Sequence, residues 1–489
     1  MRIQLDTIRG VRVPENLQQQ LPVTVVIPDW GKAWTIYCLE YAVFLKSKGF
    51  EVSLIDLSLY NLNVKNPKRF LFRELILKKS NLFSISRTIC HNNQIPFYRF
   101  TKVINISKAS LLQKEREQVF EKAMTSKYAN ITGLRNTTID LIDKKTVQIE
   151  RKLFYSTLYQ LEDLYSDANI QLVTVNGRYV IDSAVVQYAR ENSLPIFLLE
   201  GVSAFPNRFE IFEKSPHDLE NSREKHLALW NNAGPDREII AKKGLNRKIS
   251  GNDSPGFNWR GDFEETAIIP SANDKRSAVY FPSSDREFSI FPEYVYQTSF
   301  SGDQHEAFRV FSRLARENDF EIIIRVHPVN KMAPLSIQNA YAKVEDDIWN
   351  TLGAESGALV IHAKSPISSY ELMKHADLVV TYASSISIES LLLGKNTLVL
   401  GEFEFSYLFP DFCAHNELQI RNRLISNKPN FSVEALYPYG YWLERGGAAL
   451  ELFNFVSDDE LYYQGKLINK LRAPFSKKVR ENCTKQKKR

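Results

Sequence analysis

ADLVVTYASSISIESLLLGKNTLVLG, residues 376 to 401, is the stretch on which the reading of the whole chain turns. Its apolar run LVVTYA (378 to 383) has the length of a buried strand, and Ser384-Ser385 stop it. Apolar residues then recur at helical spacing as far as Gly394, and NTLVLG (396 to 401) is strand-like again. A strand, a short helix and a strand without polar alternation predict a parallel βαβ unit covered on both faces. Similar strands precede it: SAVYFPS (277 to 283), FEIIIRVHP (320 to 328) and ALVIHA (358 to 363), with a helix over roughly 303 to 318.

A second series occupies the N-terminal half. PVTVVIP (22 to 28), the helix KAWTIYCLEYAVFLKSKGF closed by Gly49, and EVSLIDL (51 to 57) form one unit. IQLVTVNG (170 to 177), the helix RYVIDSAVVQYAREN and LPIFLLEG (194 to 201) form the next. Residues 60 to 165 between them read as a mainly helical, basic insertion. The stretch from 246 to 276 is rich in Gly, Pro, Asn and Asp without periodicity, and is read as a linker. The expected organisation is therefore residues 1–245, the linker 246–276, a second α/β domain over 277–430, and helices with a basic tail over 431–489.

At 489 residues the chain exceeds one ordinary core, in keeping with that division. Apolar residues make up 44% and charged residues 25%, a globular balance, and no run approaches the roughly 20 apolar residues of a membrane helix. The N-terminus has no apolar export segment, so the cytoplasm is the expected compartment. Cys38, Cys90, Cys413 and Cys483 lack paired spacing and are read as reduced thiols. The net charge is +6, with positive residues crowded into 65–79 and 476–489. Without a nucleic-acid motif, these clusters suggest peripheral contact with an anionic membrane face or a solvated surface, and no nucleic acid.

Ligands of open parallel sheets bind beyond the carboxyl ends of the strands. There Ser384, Ser385 and Ser387 offer hydroxyls and a helix start to an anion, although a serine in that position is also an ordinary N-cap. Glu389 follows near the second turn, placed either to accept from ribose hydroxyls or as a solvated helix position. Arg325 and His327 end EIIIRVHP, Ser283 and Ser284 end the first strand of the second half, and Lys364 follows VIHA. Arg325, His327 and Lys364 are candidate phosphate contacts and the two serines candidate lining of the same cleft, with a surface ion pair, a turn or helix cap and a solvated loop as the plain alternatives.

The pattern SSYELMKHADLVVTYASSISIESLLLGKNTLVL (368 to 400), with IIIRVHP upstream, resembles the C-terminal halves of bacterial capsule and surface-polysaccharide biosynthesis proteins of the GT-B glycosyltransferase type. That resemblance implies an α/β fold of two Rossmann-like domains facing a central cleft, with a helical insertion in the N-terminal half and C-terminal helices. It also implies transfer of a sugar from a nucleotide-sugar donor to a glycan or glycolipid acceptor. Ser384 and Ser385 would hold the donor phosphate and Glu389 the ribose.

Glycosyl transfer needs a base for the acceptor hydroxyl. Glu200 ends LPIFLLEG beside Gly201 and is the first choice, since an acid after apolar residues is partly desolvated and holds its proton more tightly. Asp29 in IPDWGKAW is second, with helix capping as its plain alternative, and His217 in KSPHDLE is third, read equally as a first-turn bystander. Asn176 and Arg178 in VNGRYV stand at a strand-to-helix turn, where the guanidinium suits an acidic acceptor or the donor phosphate. With no Asp-x-Asp triplet and no paired-His spacing, neither a metal nor a resident cofactor is expected, the nucleotide sugar being a co-substrate. A CDP-polyol phosphotransferase of teichoic-acid type and a nucleotide-sugar 2-epimerase share the pattern. A non-catalytic glycan assembly partner remains the non-enzymatic alternative.

Overall fold

The computed structural model describes residues 13–14, 16–28, 32–57, 81–99, 114–132, 139–165, 169–202, 207–213, 215–216, 218–250, 275–283, 300, 303–328, 335–426, 429–457 and 460–467. Asp29, His217, Ser284, the two basic clusters and most of the presumed linker lie outside them.

In chain order the first elements are β1 (Val23–Ile27), α1 (Lys32–Ser47), β2 (Val52–Asp56), α2 (Asn81–Asn92), β3 (Phe97–Arg99), α3 (Lys114–Thr132), α4 (Lys144–Tyr165), β4 (Gln171–Val175), α5 (Val180–Glu191), β5 (Ile196–Gly201) and β6 (Arg208–Phe212). Next come α6 (Leu219–Asn231), α7 (Arg237–Ser250), β7 (Arg276–Phe281), α8 (Gln304–Glu317), β8 (Phe320–Arg325), α9 (Leu335–Ser356), β9 (Leu359–Ile361), α10 (Ser369–His375), β10 (Leu378–Thr381), α11 (Ile386–Leu392) and β11 (Thr397–Val399). The last are α12 (Glu417–Ile425), α13 (Tyr437–Arg445), β12 (Ala448–Ala449), β13 (Phe453–Ser457), β14 (Glu460–Tyr463) and β15 (Lys466–Leu467).

Two compact units result, and they do not follow the boundaries expected from the sequence. One comprises residues 1–120, 148–213 and 447–489, the other 121–147 and 214–446. Helices α6 and α7 thus belong with the second sheet, and the chain end returns to the first.

The first unit is built on a seven-stranded sheet in the order β12-β6-β5-β4-β1-β2-β3. Strands β1 to β5 pair in parallel, while β6 and β12 add an antiparallel edge. Every residue of β1 and β4 is buried, which is why these strands read as mainly apolar runs without polar alternation. Ile36, Tyr37, Cys38, Tyr41, Phe44 and Leu45 of α1 pack into the same core as Val23, Val25 and Val173. Each fully buried aliphatic side chain there contributes about 1.5–3 kcal/mol.

The chain end was expected to be helical, but beyond α13 the described residues form strands. The chain return is anchored by Glu40 of α1, which is fully buried and accepts the backbone N–H groups of Glu451, Leu452 and Phe453 at 3.0, 2.6 and 3.0 Å. Burial dominates those favourable bonds and the nearby Glu451 adds to it, raising the Glu40 carboxyl to about 7. A carboxyl that holds its proton more tightly folded than unfolded stabilises the fold at low pH, and that contribution is lost as the pH rises through about 7. Urea titrations at pH 5 and pH 8 are expected to show wild type losing on the order of 2 kcal/mol relative to Glu40→Gln over that interval. Equal pH slopes for the two proteins would contradict this.

The second unit holds a five-stranded sheet, β11-β10-β7-β8-β9, with all its pairings parallel. Its first strand lies in the middle, with the next two on one side and the last two on the other, which is Rossmann-like order. The first unit repeats the scheme with β1 in the middle of its five parallel strands. Tyr280, Phe308, Phe311 and Trp349 fill one face of the β7 sheet, and Phe281, Ile323, Leu372 and Val379 the other. Among the described residues no helix is long and apolar enough to cross a membrane.

Candidate functional site

Where strand order reverses, the loops after the two neighbouring strands diverge and leave a crevice at their carboxyl ends. In the first unit that point lies between β1 and β4, and the loop after β4 carries Asn176, Gly177 and Arg178. Asn176 and Gly177 both take left-handed backbone conformations, with φ of +52° and +83°. Such a pair is rare for a residue with a side chain, and Asn tolerates it best. The turn is held from behind: Ser183 Oγ donates to the Gly177 carbonyl at 3.0 Å, and Asp182 accepts from the Tyr179 N–H at 3.1 Å. Burial raises the Asp182 carboxyl to about 7, while the Arg178 charge and backbone N–H donors oppose the rise.

Glu200 stands on the neighbouring strand. Its Oε2 accepts from the Asn176 side-chain amide, and its Oε1 from the Gly201 N–H at 3.1 Å. Burial raises its proton affinity, and Arg178, Asn176, Gly201 and the Trp34 side chain each pull it back. Gly201 beside it leaves room for Tyr37, since a Cβ there would lie 2.8 Å from the Tyr37 hydroxyl oxygen. Burial and the Glu200 charge in turn push the Tyr37 phenol upward. Trp34 and Tyr179 bring their rings to 5.6 Å, and the Arg178 guanidinium lies 5.1 Å over the Tyr179 ring. A half-buried carboxyl, a guanidinium and two aromatic faces thus collect at one end of the sheet. This set can hold and move a proton beside a polar ligand with apolar faces.

In the second unit the reversal falls between β7 and β10. Ser283, just past β7, is buried and donates its hydroxyl to the carbonyls of Tyr382 and Ala383, the latter at 3.2 Å. Gln304 of α8 donates to the Ser283 carbonyl at 3.3 Å. Ser283 therefore ties the ends of β7 and β10 together and is spent on the fold, not offered to a ligand. The tie holds Ala383 at φ +47°, which turns the chain into Ser384 and Ser385. Ser384 is half-buried and Ser385 exposed. Ser385 makes no side-chain cap bond, and the Ser387 hydroxyl turns inward to the Ser384 carbonyl at 2.7 Å. The helix that follows has only seven residues, so its dipole is short and the hydroxyls are the stronger feature.

Three sequence expectations take a different form in the structure. Arg325 is 1% exposed, and its guanidinium donates to the carbonyls of Val326, His362 and Ser365 at 3.2, 2.6 and 3.3 Å. Burial lowers it to about 10. It shapes the turn that carries the exposed Lys364 and presents no fork to a phosphate. Arg325→Ala is accordingly expected to cost about 2–4 kcal/mol in urea denaturation, from unsatisfied carbonyls and a cavity, with nucleotide affinity of the folded fraction unchanged. Glu389 is also engaged within the unit: Lys248 of α7 lies 3.1 Å from one oxygen, and the Tyr370 hydroxyl donates to the other. That places Glu389 as the anchor of α11 against α7 and α10 and not as a ribose acceptor. His327 follows β8 half-buried, its Nδ1 3.0 Å from the Pro328 carbonyl. Since a carbonyl only accepts, Nδ1 carries the proton, and Nε2 meets an anion only as imidazolium.

Sequence reasoning did not single out Asp182, Tyr37, Lys248 or Tyr370. Asp182 alone had a local signal, an acid at the third position of a helix. Among the described residues no group of three or more His, Cys, Asp or Glu is placed to hold a metal ion.

No family model and no curated protein matches the sequence. Among solved structures, the chain is similar to the β-Kdo 2,4 transferase KpsC of Thermosulfurimonas dismutans at 17% identity, over 55% of this chain and 78% of that one, with a TM-score of 0.34. It is similar to the UDP-GlcNAc 2-epimerase of Methanocaldococcus jannaschii in complex with UDP-GlcNAc and UDP at 10% identity, over 85% and 97%, with a TM-score of 0.27. A glycosyltransferase from Rickettsia africae ESF-5 matches at 10% identity, over 88% and 95%, with a TM-score of 0.23. At these levels function has to be argued from the chain's own residues.

Proposed function

We propose that the protein transfers a sugar from a nucleotide-sugar donor to a glycan or glycolipid acceptor of the bacterial surface. The observation that carries this reading is Glu200: a carboxyl at a strand end held by hydrogen bonds from Asn176, Gly201 and Trp34, with burial raising its proton affinity. A base of that kind takes the acceptor proton as the hydroxyl attacks. The second unit supplies the donor side, its Ser384 and Ser385 hydroxyls standing at the strand-order reversal where such sheets bind nucleotides. His327 as imidazolium and Lys364 in its Arg325-braced turn are the cationic candidates for the leaving phosphate. The reaction so read needs no divalent ion and no resident cofactor.

The reading is tested by incubating the protein with UDP-, GDP-, CMP- and CDP-linked donors, with and without glycan primers and with EDTA. Nucleotide release that depends on a primer and survives EDTA is the expected result. Isomerised sugar without a primer would indicate a 2-epimerase, and consumption of a CDP-polyol alone a polyol phosphotransferase. No release and no thermal shift with any donor would leave an assembly partner. The basic segments 65–79 and 476–489 suit contact with an anionic membrane surface, which vesicle flotation of a protein truncated at 475 addresses.

A further inference from the structure

We propose that Asn176 is a positioning residue that fixes the carboxylate of Glu200, its left-handed backbone being what brings the side-chain amide to Oε2. The proposal rests on the reading of Glu200 as the base and adds the residue that sets how that base is held. β4 and β5 run parallel with Val175 beside Leu199, and the Asn176 N–H continues the ladder to the Leu199 carbonyl at 3.0 Å. An ordinary extended residue would carry on along the strand. At φ +52° the chain turns instead, and the Asn176 amide donates to Glu200 while only 3% of the residue stays exposed. The strain of a left-handed residue is kept where it serves a contact. Asn is suited to the position twice over, since it tolerates the backbone and supplies a neutral donor.

The other groups facing Glu200 come from three directions. Arg178, on the same loop, favours the ionised carboxylate. Trp34 donates to it from α1, and Tyr37 on that helix has its phenol raised by the Glu200 charge. Glu210 on β6 is its cross-strand neighbour. Asn176, like Trp34, is an uncharged donor, but it sits on the left-handed turn that ends the neighbouring strand, so its loss removes a hydrogen bond from that turn without changing the local charge.

The test uses full-length protein carrying carboxyl-labelled glutamate, with the Glu200 signal identified by its absence in Glu200→Gln. Asn176→Gly keeps the backbone and removes the amide. Asn176→Asp keeps the shape and replaces the donor by a like charge. The Glu200 titration midpoint is expected to rise by about one to two pH units in Asn176→Gly and further in Asn176→Asp. The acid limb of kcat/KM should move by the same amount, with the donor KM unchanged. A midpoint that stays put in both folded variants overturns the proposal. A midpoint that moves while turnover keeps its pH profile supports the positioning role and removes Glu200 as the base, so the two readings fail separately.

Discussion

Glu200→Gln is expected to bind donor nucleotide as wild type does and to lose turnover by about 10²–10⁴-fold, the range for removing a general base. The substitution keeps the shape and, through its one remaining carbonyl oxygen, the Gly201 contact; it removes the capacity to take a proton and turns the oxygen that accepts from Asn176 into a donor. Because burial is the main cause of the raised proton affinity, the neutral amide should not disrupt the fold. Thermal unfolding within about 1 kcal/mol of wild type is expected, since the new amide trades one hydrogen-bond geometry for another. Calorimetric titration with the nucleotide and a turnover assay on the same sample separate the two effects. Unchanged turnover would remove Glu200 from the chemistry.

The second large effect is structural. Gly440→Ala is expected to destabilise the second unit by about 3 kcal/mol, a fall in Tm of roughly 6–12 °C. Helices α7 and α13 cross with Gly244 and Gly440 at the contact. A Cβ at Gly244 would run into the Gly440 carbonyl oxygen, and one at Gly440 into the Ala241 carbonyl oxygen and, at 2.7 Å, the Leu245 Cγ. Backbone atoms on both sides cannot yield as the end of a long side chain can, so the helices must part. Parting them loosens the buried Glu444, which faces Arg247 at 3.1 Å, and the Arg247 bond to the Leu443 carbonyl at 3.0 Å. Gly357→Asn is the control: a Cβ there meets nothing within 4 Å, and Asn tolerates its φ of +67°. A Tm for Gly440→Ala within 2 °C of the control would contradict the close crossing.

The central strands could be read from the sequence because they are buried on both faces, which leaves long apolar runs such as VTVVI and LVVT. Short edge strands carry no such signal. β3 lies inside what reads as a helical insertion, and β12 has two residues and exists only because the chain end returns to β6. The site was legible in position but not always in role. Ser283 and Arg325 lie at the carboxyl ends of their strands and Glu389 in the helix that follows β10, yet sequence spacing does not show which way a side chain turns. Ser283 turns to the neighbouring strand end, Arg325 to a turn after β9, and Glu389 to a lysine on α7. These partners are distant in sequence, so only the folded chain brings them together. Asn176 and Glu200 come together because parallel pairing of successive strands places their ends side by side.

A crystal structure of the protein with a bound nucleoside mono- or diphosphate probes the donor assignment at its root. The phosphate is predicted to lie within hydrogen-bond distance of the Ser384 or Ser385 hydroxyl, at the reversal point between β7 and β10. A nucleotide seated elsewhere, with those hydroxyls facing only water, would contradict it.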